Sequence, residues 1–112
     1  MEKTILIDGK EINFKSTGAT PLRYKTQFNE DFFRAITKMQ ALANVKGGIT
    51  LKNIELIDFD TFYNIAWTMA KTADPAIPDP ITWLDSFETF PILDIISELA
   101  EMIISTIDGK KK

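Results

Sequence analysis

The stretch Asp58–Phe87 reads as a strongly amphipathic helix, a turn stiffened by Pro75, Pro78 and Pro80, and a short second helix. At about 100° per residue, Phe59, Phe62, Tyr63, Ile65, Ala66, Met69, Ala70 and Ala73 fall on one broad arc, with Asp60, Asn64 and Lys71 opposite. Asp58 is placed to cap the helix, and Asp74-Pro75 ends it, because a residue before proline is pushed out of the α region. The stretch also holds both tryptophans, one of the two tyrosines and three of the eight phenylalanines. Trp67 is out of phase. It falls beyond the Tyr63 edge of the arc, towards the expected solvent side, and needs a cover from elsewhere in the chain or from a partner. Trp83 and Phe87, brought back by the proline turn, are the nearest candidates within the chain.

The rest of the chain is read around this unit. Thr4–Ile7 and Lys10–Lys15 flank Asp8-Gly9, a favoured two-residue type I′ turn, and predict a β-hairpin over 3–15. Ile12 and Phe14 share one face of its second strand, and Glu11, Asn13 and Lys15 the other. A lone hairpin is marginal in water, so Ile5, Ile7, Ile12 and Phe14 must rest on a helix or on another chain's sheet edge. A helical pair is expected over 20–44. Thr20 and Pro21 serve as N-cap and first helical residue, and Asn29 is the break. Its second helix runs from about Glu30 to Asn44, with Phe32, Phe33, Ile36, Met39 and Ala43 buried. Residues 45–57 are a loop or a short strand, broken by Gly47-Gly48. Asp79-Pro80 starts a short helix over Ile81–Glu88 that presents Trp83, Leu84 and Phe87.

The last helix, from Phe90-Pro91 to about Asp108, confines its polar residues to one narrow stripe. A surface helix needs an apolar arc of little more than about 100°, and this one is apolar over roughly twice that. Ile92, Ile96, Leu99 and Ile103 can face a core. Leu93 and Ile104 lie on one shoulder, Ile95 and Met102 on the other. Either the helix is wrapped by the rest of the chain or its shoulders serve an interface. The chain closes with Gly109-Lys110-Lys111-Lys112, a helix stop and a basic tail over 109–112.

The whole is one domain, 1–112, of α+β class: an N-terminal β-hairpin followed by a compact bundle of about four to five helices. There is no signal-peptide pattern and no apolar run of the roughly 20 residues that span a bilayer, so no membrane partner is expected. Cysteine and histidine are both absent. That removes disulfides, thiolate nucleophiles, imidazole bases and the usual zinc ligands together. Asp58 with Asp60, and Asp79 with Asp85, are the nearest approach to paired carboxylates, but helix capping explains them. No phosphate loop is present. Arg23, Lys25, Arg34 and Lys38 beside Tyr24 form a solvated face without the basic and aromatic stripe of a nucleic-acid binder. No catalytic residue, cofactor or metal is assigned.

Charge is divided unevenly. Residues 1–52 carry nine Lys or Arg against five Asp or Glu, for +4, and residues 53–112 carry four against eleven, for −7. The halves either dock on each other or promote head-to-tail association of subunits.

Taken in order, the hairpin ending Ile12-Asn13-Phe14-Lys15, then Ala19–Tyr24, Gln27-Phe28, Phe62–Lys71, Asp74-Pro75 and Trp83–Phe87 resemble a known family. It is that of the tail assembly chaperones of long-tailed, siphovirus-type bacteriophages and prophages of Gram-positive bacteria. The resemblance covers most of residues 5–104, with 45–57 unassigned. It implies a non-enzymatic protein of the host cytoplasm that binds the tape-measure protein, recruits tail-tube subunits and is left out of the finished virion. It also implies a longer frameshifted form, for which lysine codons at Lys110–Lys112 would supply the slippery run. Self-association is expected, and the candidate partner-binding residues are Trp67, Leu93, Ile95, Met102 and Ile104. Two other readings stay open: a small phage or host regulatory module that binds a bacterial protein, and a carboxylate-based Mg²⁺ enzyme.

Overall fold

Asp8 and Gly9 both adopt positive φ, 54° and 78°, the requirement of a type I′ turn. They join β1 (Glu2–Ile7) to β2 (Lys10–Lys15) in an antiparallel pair with Ile5 opposite Ile12 and Ile7 opposite Lys10. Side chains alternate faces along a strand, so Ile5, Ile7 and Phe14 are buried together while Leu6 is 67% exposed. The buried face rests on helices of the same chain: β2 lies against the long helix that starts at Phe59, and β1 against the last helix. The fold is seen in a computed structural model that describes residues 1–39, 55 and 57–108.

Five helices follow the hairpin among the described residues, which makes the α+β class plain. Helix α1 (Thr20–Phe28) has Pro21 in its first turn and stops at Asn29, which takes the left-handed conformation at φ 56°. Its start differs from the expectation. Ala19 occupies the cap position, and the Thr20 hydroxyl, fully buried, accepts the Thr17 N–H at 2.9 Å. The Ser-Thr loop has closed on itself, so Thr20 serves the turn rather than the helix.

Helix α2 (Phe32–Thr37) begins two residues after the expected Glu30, because Asp31 supplies the cap: its carboxylate accepts the Arg34 N–H at 3.0 Å. Phe32, Ala35, Ile36 and Met39 are buried at helical spacing, and Phe33, expected inside, is 51% exposed. The remainder of the expected helix, with Ala43 and Asn44, lies outside the described residues, as do most of 45–57 and the tail 109–112.

Helix α3 (Phe59–Ala73) runs through the middle, touching β2, α1 and α4 (Pro80–Asp85). Asp58 caps it by accepting from Thr61 N, and Asp79 caps α4 by accepting from both the N–H and the hydroxyl of Thr82. Helix α4 is shorter than expected, but Trp83 and Phe87 are buried as the sequence indicates. Helix α5 (Ile92–Asp108) closes the domain against β1 and α2. No helix among the described residues is long and apolar enough to cross a membrane.

The two oppositely charged halves meet through the apolar core rather than through ion pairs. Of three ion pairs among the described residues, one joins them, Lys3 to Glu98 at 3.0 Å; Glu2–Lys15 and Glu30–Lys38 stay within the first half.

Candidate functional site

Trp67 is covered by its own chain. Only 3% of it is exposed, and its indole N–H donates to the Pro78 carbonyl at 2.8 Å. The Phe28 ring of α1 meets it edge-on, with centroids 5.7 Å apart. The Lys71 ammonium stands over the ring at 5.9 Å while donating to the Pro75 and Ile77 carbonyls, both at 2.8 Å. Lys71 thereby ties the proline turn down beside the tryptophan it shields. Trp83 and Phe87, the expected covers, are engaged elsewhere. Trp83 packs on Phe14, Phe87 and Phe90 at 6.5, 5.4 and 5.8 Å, so the proline turn sends it to the hairpin side of α3. Trp67 is therefore a core residue here, and the little of it that stays accessible lies in a pocket of about 350 Å³ that Leu22, Arg23 and Lys71 also line.

The two shoulders of α5 have different fates. Ile95 and Met102 are 1% and 2% exposed and belong to the core with Ile96, Leu99 and Ile103. Leu93, on the other shoulder, is 38% exposed, and Ile104 is half-buried. Eleven residues separate these two, so they stack within about 20° of each other and about 16 Å apart along the axis. Of the five candidate partner-binding residues, the fold leaves Leu93 and Ile104 at the surface and withdraws Trp67, Ile95 and Met102. Periodicity shows the breadth of the apolar arc but not which side the rest of the chain covers.

A second surface feature escaped the sequence. A groove of about 430 Å³ runs between β1 and the first turns of α5, with Thr4, Ile5 and Leu6 on one wall and Asp94, Ser97 and Glu98 on the other. Its sequence signal was present in principle. Among the described residues the hairpin has no third strand, and a two-stranded sheet leaves both edges open.

The polar groups do structural work. Tyr24 donates to Glu30 Oε1 at 3.1 Å, and Lys38 donates to Glu30 Oε2 at 2.8 Å, tying α1 to the far end of α2. Burial, and then the Glu30 charge, pushes the Tyr24 hydroxyl far above its ordinary 10.0. The Lys38 hydrogen bond holds Glu30 below the usual carboxylate range, and Glu30 in turn raises Lys38. Asp79 is lowered by its bonds from the Thr82 hydroxyl and N–H. Asp58 and Asp79 are spent on caps, and no group of three or more carboxylates able to hold a metal ion occurs among the described residues.

No protein-family model, curated protein or solved structure matches the chain.

Proposed function

We propose that this protein is a non-enzymatic tail assembly chaperone of a long-tailed bacteriophage or prophage, acting in the bacterial cytoplasm. It binds the tape-measure protein, helps recruit tail-tube subunits and is left out of the virion. The ordered sequence words that carry the resemblance lie on separate elements: Thr20–Tyr24 on α1, Phe62–Lys71 on α3 and Trp83–Asp85 on α4. The observation that supports the reading most directly is the open shoulder of α5. Leu93, exposed, and Ile104, half-buried, are two apolar points on one shoulder of a helix whose other side is anchored in the core, a placement that suits docking of an amphipathic helical client.

Co-expression with the cognate tape-measure protein tests it, scored as recovery of a soluble complex. The wild-type chain is expected to keep the client soluble. Leu93→Lys is expected to weaken the complex at least tenfold while circular dichroism and the urea midpoint stay near wild type. A wild-type chain that leaves the client insoluble overturns the reading, and a regulatory module acting on some other bacterial protein then takes its place.

A further inference from the structure

The type I′ turn fixes which backbone groups of β1 face β2. With a two-residue loop, Ile7 and Lys10 exchange hydrogen bonds, and the pattern then alternates to Ile5–Ile12 and Lys3–Phe14. The Ser16 N–H donating to the Met1 carbonyl at 2.8 Å continues the same phase. The N–H and C=O groups of Glu2, Thr4 and Leu6 therefore point away from β2, and no described residue bonds them.

That open edge is one wall of the groove against α5. Thr4, Ile5 and Leu6 are consecutive, and consecutive side chains of a strand point to opposite faces, so all three line one space only along the strand's edge. Facing them, Asp94 and Glu98 lie one turn apart on α5, with Ser97 between them. Among the described residues no basic side chain lines the groove. Lys3 is held at its side, 3.0 Å from Glu98. The space measures about 430 Å³, within the range of ligand clefts, and is open along its length.

We propose that β1 and α5 together form a strand-addition site for an extended segment of another protein that carries lysine or arginine at alternate positions. The incoming backbone pairs with Glu2, Thr4 and Leu6, which supplies affinity without regard to sequence. Its basic side chains meet Asp94, and Glu98 in exchange for its exposed bond to Lys3, which supplies the preference. The site does not rest on the chaperone reading, which was argued from Leu93 and Ile104.

The test is fluorescence anisotropy of the full chain with a dye-labelled, capped heptapeptide alternating valine and lysine. A second peptide of the same sequence and charge carries N-methyl groups on alternate residues, which removes its hydrogen-bonding edge. Saturable binding is expected for the first peptide and at least tenfold weaker binding for the second. Thr4→Pro is expected to weaken binding at least tenfold and to leave the hairpin intact, because the lost N–H points away from β2. Thr4→Ala controls for the side chain and is expected to bind as wild type. Asp94→Lys is expected to weaken binding tenfold through charge.

Absence of saturable binding overturns the proposal, and so does equal binding of the N-methylated peptide. If sedimentation instead shows a dimer that Thr4→Pro dissolves and the peptide cannot displace, a second copy of this chain holds the edge and the proposal fails. Should Thr4→Pro unfold by circular dichroism, the comparison of the two peptides on the wild-type chain decides alone.

Discussion

The Trp67 indole N–H donates to the Pro78 carbonyl at 2.8 Å, bonding the middle of α3 to the turn that follows it. This bond explains how a residue out of phase with its helix is still part of the core. The turn folds back over Trp67, and the proline whose carbonyl it bonds cannot adopt a helical continuation. Trp67→Phe keeps most of the ring and loses the donor, and should cost about 1–2 kcal/mol. Trp67→Ala should cost about 3–5 kcal/mol, because Phe28 and Lys71 lose the surface they rest on. Urea denaturation with an unchanged slope would measure both.

The Tyr24–Glu30–Lys38 chain predicts stability losses at both ends of the pH scale. Glu30 is held below its ordinary 4.5 in the folded chain, so as pH falls the unfolded chain takes up the proton first. Its contribution is present above that range and lost as pH falls through the folded value. Tyr24 is raised above 10.0, so its contribution is present below pH 10 and lost as pH rises beyond it. Urea midpoints from pH 3 to 11 should show both declines. Glu30→Gln should flatten the acid limb, and Tyr24→Phe the alkaline one.

Adjacent phenylalanines on α2 should behave oppositely. Phe32 is 1% exposed and Phe33 51%. Phe32→Ala should cost about 3–5 kcal/mol, and Phe33→Ser should stay within about 0.5 kcal/mol of wild type. Equal costs for the two would mean that the helix phase is wrong.

Gly9 sits at φ 78°, where a Cβ is strained although nothing lies within 4 Å of it. Gly9→Ala should therefore destabilise by about 1–2 kcal/mol through the backbone alone. Thermal unfolding of the pair would read this directly.

The proposed chaperone is expected to self-associate through its unlike halves. Lys25 and Arg34 are exposed on α1 and α2, and Asp60, Asp85, Asp94 and Glu101 on α3 to α5. Sedimentation at low salt should show concentration-dependent association that fades as salt is added. A chain that remains monomeric at low salt and high concentration would end that idea.

The features legible in the sequence are those set by neighbours along the chain. The Asp8-Gly9 turn, the caps at Asp58 and Asp79, the left-handed stop at Asn29 and the end of α3 before Pro75 each involve a side chain and backbone within a few residues. What escaped depends on distant partners. Phe28 covers Trp67 from α1, and β1 lies beside Ile95. Phe33 stands about 100° round α2 from the line of Phe32, Ile36 and Met39, and the core covers that line alone. The candidate site was half legible for the same reason. The breadth of the apolar arc on α5 is a property of its own sequence, but the choice between its shoulders belongs to β1 and α2.

The tip of the hairpin is fastened to residues far along the chain. Lys10 donates to the Ser86 carbonyl at 2.9 Å and sits over the Phe87 ring, and Asp8 accepts the Glu88 N–H at 3.0 Å. A ribosome makes the two sides of this clasp some eighty residues apart. The hairpin therefore emerges with its apolar face uncovered and keeps it so until α3 to α5 have been made. Loop closure over that span is an entropic toll settled late in folding. A nascent or truncated chain lacking the segment after α4 therefore has neither this clasp nor the α5 cover of β1, and exposes Ile5 as a template for aggregation.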